Sequence, residues 1–187
     1  MDVIIRELNK DLNFISNVQN FLFAQIKKEF GYGYVPEWHQ DIINLDTYYV
    51  NNDRNNFFVA FNSQTDEIIA TIGIRAYDKD FSQFKDIYSK EHTSSIWRLF
   101  VDEKYRRCGL ASKMFGVAET FANQQDYDFI YLHTHKTLNG ALEFWTKMGF
   151  VITIDAGDEL ETVHMDKKIM GIEITSPSST FNYALEL

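Results

Sequence analysis

The chain has 187 residues, 45% of them hydrophobic and 16% aromatic, which is enough apolar material for one domain with a core and too much for overall disorder. Asp and Glu number 27 against 18 Lys and Arg, a formal net charge of −9, so nucleic acid is not the expected partner. The same charge would draw a cationic amine, or serve only as a solubilising surface.

Cys108 is the single cysteine; no internal disulfide can form, and a reducing, cytoplasmic setting is expected. The opening stretch MDVIIRELNKDL carries charges throughout and lacks an apolar signal core. No window approaches the roughly 18 apolar residues of a membrane helix, so no membrane partner is expected.

Val3–Glu7 reads as a short strand, with Asn9 placed to cap the helix that follows. Phe14, Val18, Phe21, Leu22, Gln25 and Ile26 then recur at helical spacing. The stretch Phe30-Gly31-Tyr32-Gly33-Tyr34-Val35-Pro36 ends that helix, and a second helical piece is predicted over Glu37–Tyr49. Asn56–Phe61 and Glu67–Tyr77 read as a hairpin across the polar turn Asn62–Asp66. A polar-aromatic loop covers Asp78–Glu91, and Ser95–Val101 is the next strand. A helix from about Gly109 to Asn123 follows, then a strand over Asp128–Thr134 and a helix over Leu138–Met148 closed by Gly149. Val151–Asp155 and Thr162–Lys168 read as a closing hairpin. The domain is predicted to span 1–168, with 169–187 as a tail or an extra strand. The order β-α-α-β-β-β-α-β-α-β-β predicts an α/β domain, a mixed central sheet with helices on both faces.

The most informative segment is Ile96–Phe115, IWRLFVDEKYRRCGLASKMF. A strand runs into a basic turn and then a helix. The free N–H groups and dipole of a helix start favour an anion, Gly109 lets a phosphate approach the backbone, and Arg106 and Arg107 can add charged hydrogen bonds. Spacing alone is equally compatible with an ordinary strand-to-helix turn carrying two surface arginines. Neither G-x-x-x-x-G-K-(S/T) nor G-x-G-x-x-G is present.

Arg106-Arg107-Cys108-Gly109-Leu110-Ala111 fits (Q/R)-x-x-G-x-(G/A), and the segment ALEFWTKMGF over Ala141–Phe150 resembles A-x-x-(F/L)-Y-x-x-x-G-F. With the intervening helix, strand and helix, these resemble the two signatures of the GNAT superfamily of acetyl-CoA-dependent N-acetyltransferases. The resemblance covers roughly Val3 to Lys168 and is tight only over Ile96–Phe150.

The resemblance implies a GNAT-like fold, acetyl-CoA as co-substrate without a metal, and direct attack of a primary amine on the thioester. It implies that Leu99, Phe100 and Val101 hold the pantetheine arm and that Arg106, Arg107, Cys108, Gly109, Leu110, Ala111 and Ser112 form the pyrophosphate loop. Asn139 and Trp145 are placed against the cofactor by the same comparison. A backbone N–H near Phe100 would meet the oxyanion, a contribution of roughly 3 kcal/mol.

Two departures stand out. The family's tyrosine acid falls at Trp145, whose indole N–H is no proton donor at useful pH. Its asparagine falls at Leu138, so Asn139 either serves after a local shift or only caps the helix. The departure at Trp145 motivates the alternative of a catalytically inactive acyl-CoA-binding regulatory module.

Acid and base are sought instead on one face of the following strand, at Tyr131, His133 and His135. The same histidines could be structural, and a His-x-His metal site lacks further ligands at sensible spacing. Cys108 is incidental to the chemistry, and Arg98 meets either a substrate carboxylate or a surface salt bridge.

By the same resemblance, the acceptor site gathers Tyr32, Tyr34, Trp38, His39, Tyr48, Phe81 and Phe84, with Glu37, Asp46, Asp78, Asp80, Asp158 and Glu159. Aromatic walls with carboxylates suit a cationic amine; the same residues could form a packed lid. The acceptor is expected to be a small-molecule or peptide amine, and a homodimer is compatible with the family.

Overall fold

The structure, a computed structural model, describes residues 2–79, 81–84 and 87–169. The described residues form a seven-stranded sheet in the order β1-β2-β3-β4-β5-β7-β6. The strands are β1 Val3–Glu7, β2 Asn56–Asn62, β3 Ile68–Ala76, β4 Thr93–Val101, β5 Phe129–His135, β6 Val151–Asp155 and β7 Thr162–Lys168. The helices are α1 Leu12–Phe30, α2 Gln40–Ile43, α3 Leu110–Gln124 and α4 Ala141–Lys147. Element order and fold class are those expected from the sequence. The expected tail lies outside the described residues, apart from Ile169. Among the described residues no helix is long and apolar enough to cross a membrane.

β2 and β3 are apolar along nearly their whole length because helices cover both faces of the sheet. α1 and α2 pack Val18, Leu22, Ile26 and Ile42 against Phe57, Val59 and Phe61. On the other face α3 and α4 pack Met114, Phe115, Ala118 and Trp145 against Phe58, Ile72 and Met165. Burying Val18, Leu22 and Ile26 at successive helical turns is what fixes the orientation of α1.

Three local expectations change. Asp11, not Asn9, caps α1 by accepting from Phe14 N at 2.8 Å, and Asn9 instead accepts from Asp11 N. The predicted helix over Glu37–Tyr49 breaks into α2 and a π-helical turn over Asp46–Val50. The break falls at Asn44, whose φ −117° and ψ 47° are not helical; its backbone N and its side-chain amide both donate to Gln40 O at 3.0 Å and close off α2. α4 starts three residues later than predicted because Gly140 sits in the left-handed region at φ 76°.

All neighbouring strands are antiparallel except β4 and β5. Those two are parallel, and they pair only through Thr93–Phe129, Ser94–Ile130 and Ser95–Tyr131. Beyond Ser95 and Tyr131 the strands diverge. β4 also carries a bulge: Gly73 pairs Trp97 while Thr71 pairs Phe100, so β4 holds one extra residue. Arg98 absorbs it with φ 50°, and its carbonyl accepts from Thr71 Oγ1 at 2.9 Å.

Candidate active site

The divergence of β4 and β5 opens a cleft of about 1310 Å3. Ile96–Val101 line one wall, Leu132–His135 the other, and the start of α3 closes one end. Leu99, Phe100, Val101, Arg106, Arg107, Gly109, Leu110, Ala111, Ser112, Asn139 and Trp145 all line it, as do His133 and His135. The structure therefore brings together most of the residues that the sequence singled out from two distant motifs.

At the α3 end, Gly109 is the N-cap with φ 82°, and a side chain there would meet nothing within 4 Å. Arg107 also adopts a left-handed φ, 62°. Two left-handed residues within three positions curl the loop over the helix start. Lys113 N donates to Gly109 O at 3.0 Å as helical bonding begins. The N–H groups before it have no intrahelical acceptor and point out of the helix start, as an anion site requires. Arg106 is braced by Nε donating to Val101 O at 3.1 Å and by an ion pair with Glu29 from α1. Cys108 turns back on the loop, its thiol donating to Tyr105 O. These features fit a diphosphate: a glycine cradle with open space, free N–H donors and two guanidinium groups.

Trp145 is buried at the cleft floor, edge-on to Phe115, Phe144 and Phe150 at 5.7, 4.8 and 5.2 Å. Asn139 faces the cleft without capping α4. That role falls to Gly140, which has no side chain to offer, so the capping alternative is set aside.

The β5 residues separate into two environments. His133 and His135 stand along the cleft with ring centroids 6.4 Å apart. His135 Nδ1 pairs with Thr162 Oγ1 at 3.1 Å. His133 opens to the cleft yet has protein on most sides. Desolvation, reinforced by the charge of Lys79, draws its pKa down to about 4, so the imidazole is neutral at pH 7. Tyr131 does not line the cleft. It is buried among Tyr77, Phe84 and Tyr88, and its hydroxyl meets His164 Nδ1 at 2.7 Å. Burial holds the Tyr131 phenol well above its ordinary pKa and the His164 imidazole below its own.

The other end of the cleft was only partly foreseen. Arg98 does not form a surface salt bridge. It pairs with Asp41, which is 4% exposed, through Nη2 at 2.6 Å and Nε at 2.9 Å. Tyr49 OH donates to the same carboxylate at 3.1 Å. Burial alone would raise the Asp41 carboxyl, but the Arg98 hydrogen bonds and charge hold it below its usual value.

Arg75, also 4% exposed, pairs with Asp78 at 2.7 Å and lies over the Trp97 ring at 4.0 Å. Of the expected acceptor residues, Tyr32, Trp38, Tyr48, Glu37 and Asp78 line the cleft. His39 is buried, its Nδ1 accepting from Val35 N, and Phe84 packs under Tyr131. Asp158 caps the β6–β7 turn by accepting from Thr162 N, and Asp80 lies outside the described residues. Arg75, Lys79 and Asp41 escaped the sequence reading. Their one signal was that charged residues flank an otherwise apolar strand and a short helix.

A mixed α/β sheet split at a parallel seam, with a phosphate-ready helix start beside the split, defines a domain built to hold a nucleotide-type ligand between two strands. The chain belongs to the acetyltransferase (GNAT) family, whose model matches residues 20–150. Solved structures agree in fold. An acetyltransferase of the GNAT family from Staphylococcus aureus Mu50 is 22% identical, with TM-score 0.71, over 90% of this chain and 99% of that one. An acetyltransferase from Streptococcus agalactiae 2603 is 18% identical, with TM-score 0.70, over 90% and 99%. The PaiA N-acetyltransferase from Thermoplasma acidophilum, solved with coenzyme A, is 16% identical, with TM-score 0.64, over 90% and 99%. No curated protein matches the chain.

Proposed function

We propose that this protein transfers the acetyl group of acetyl-CoA to a primary amine by direct attack on the thioester. One observation carries the reading: the cradle formed by Gly109 and the helix start lies at one end of the split seam, and a neutral histidine, His133, stands in the same cleft. Arg106, Arg107 and the N–H groups from Gly109 to Ser112 would hold the diphosphate. The open edge of β4 over Leu99–Val101 would hold the pantetheine arm, with Asn139 and Trp145 lining the far wall. The thioester supplies the activated acyl group.

The residues of the chain then position and move protons. The charge of Lys79, unpaired among the described residues, favours loss of the ammonium proton to solvent, so the amine enters neutral. Alignment of amine and thioester lowers the barrier by several kcal/mol. Attack makes the nitrogen strongly acidic, so a weak base suffices, and His133 accepts that proton. The resulting imidazolium, destabilised in this cleft, returns it to the departing thiolate. His133 thereby covers the role left open at Trp145. His135 keeps the cleft end polar, and Tyr131 fixes His164 behind the strand.

Calorimetric titration with acetyl-CoA, dephospho-coenzyme A and ATP tests the donor site, followed by thiol release with a panel of amines. Micromolar-range binding selective for acetyl-CoA and amine-dependent thiol release are expected. Equal binding of ATP, or binding with no turnover on any amine, refutes acetyl transfer.

A further inference from the structure

Three cations converge on one indole in the acceptor half of the cleft. The Arg75 guanidinium and the Lys79 ammonium lie 4.0 Å from the Trp97 ring centroid, and the Arg98 guanidinium 6.0 Å. Trp97 itself is fixed by Nε1 donating to Ser95 Oγ at 3.0 Å, at the point where β4 and β5 part.

The carboxylates here are already engaged. Asp41 is held by Arg98, and Asp78 by Arg75. Glu37, the other carboxylate on this wall, is exposed at the mouth. Among the described residues Lys79 forms no ion pair, although it faces the cleft and burial lowers its pKa. Arg75 repeats the imbalance, since its buried Nε has no acceptor. The cluster therefore holds more donors and positive charge than its own acceptors satisfy. An unpaired, partly desolvated ammonium is costly unless a ligand anion completes it.

A purely cationic acceptor such as a polyamine would meet this cluster with like charge. An acceptor with a carboxylate near its amine would meet it with opposite charge while its amine reached His133. We propose that the acceptor is an amino acid-like molecule, a primary amine bearing a carboxylate, and that Lys79, stacked on Trp97, binds that carboxylate. The inference rests on the acetyl transfer proposed above for its chemistry, but not for its charge complementarity.

The test compares matched pairs: amino acids against the corresponding amides and decarboxylated amines, with spermidine as the cationic extreme. Binding to the protein saturated with coenzyme A is read by calorimetry, and turnover with acetyl-CoA by thiol release. The carboxylate-bearing member of a pair is expected to bind, and to react by kcat/KM, at least tenfold better. Lys79→Met should bring that ratio close to one, mainly through KM, leaving acetyl-CoA affinity unchanged, and Lys79→Arg should retain most of it. A preference for decarboxylated amines or spermidine, or a ratio unmoved in Lys79→Met, overturns the inference. Carboxylate-dependent binding lost in Lys79→Met, without turnover, would leave the anion site standing and refute acetyl transfer alone. The absence of both would remove both.

Discussion

Replacing Asp41 by alanine strands a buried cation. The carboxylate accepts from Arg98 Nη2, Arg98 Nε and Tyr49 OH at 2.6, 2.9 and 3.1 Å, and the Arg98 side chain is 16% exposed. Breaking such a pair from one side costs about 3–5 kcal/mol, because the remaining charge is left without compensation. In a domain of this size each kcal/mol is about 2–4 °C, so Asp41→Ala should melt about 10 °C lower. Arg98 also donates to Trp38 O at 2.6 Å, so the loss extends to the cleft mouth.

Thermal and urea melts of Asp41→Ala, Arg98→Met and the double variant measure the coupling. The double variant should be less destabilised than the sum of the single changes, by about 2 kcal/mol. Additivity within about 0.5 kcal/mol would refute a direct interaction. The pair also sets a pH dependence. The Asp41 carboxyl is lowered in the folded state, so its contribution is present above the unfolded pKa and is lost as pH falls through the folded one.

Gly109→Val should weaken acetyl-CoA binding at least tenfold in calorimetry and also lower the melting temperature by a few degrees, since a Cβ there meets open space but a β-branched residue is strained at φ 82°; unchanged affinity would remove the diphosphate assignment. His133→Asn should lower kcat by about 10²–10⁴ and erase the acid limb of the rate profile; an intact profile would place proton transfer elsewhere. The lowered His133 pKa of about 4 also means that its stability contribution is complete above about pH 6.5 and lost as pH falls from there towards 4. Urea melts of His133→Asn should therefore show a flatter dependence over that window. Gly73→Ala puts a Cβ 2.8 Å from Tyr49 Cε1 and 3.0 Å from its hydroxyl, so the ring that bonds Asp41 must shift, and a loss of about 1–3 kcal/mol is expected in the same melts.

The sequence was most legible where local chemistry decides the backbone. The Arg106–Ala111 turn and the apolar faces of α3 and α4 show in the residues themselves, and both ended on one cleft. Asp41, Arg75 and Lys79 lie on a four-residue helix, a strand and a loop whose meeting depends on the β3–β4 register, which no short spacing records. The bulge is the clearest case. Arg98 looks like any exposed strand residue until the extra position turns its guanidinium toward α2. Tyr131 does stand beside His133, with ring centroids 6.4 Å apart, but it is buried in an aromatic cluster completed by Tyr77, Phe84 and Tyr88, and that burial is a tertiary fact. At Asn44, a non-helical backbone conformation interrupts a pattern that reads as continuous helix.

The three-residue ladder between β4 and β5 has a mechanical consequence. Four strands lie on one side of it and three on the other, and Asp128 N and Phe129 N extend the join by donating to His92 O at its end. The backbone join between the two halves of the sheet is thus short, although one core packed under α3 and α4 spans both, and a ligand lying along the β4 edge would take the place of the missing ladder. Whatever fills the slot would become, in effect, a strand of the protein, and its binding free energy would strengthen the join between the two halves. Amide exchange along Ile96–Val101 should therefore slow on ligand binding far more than exchange in β2.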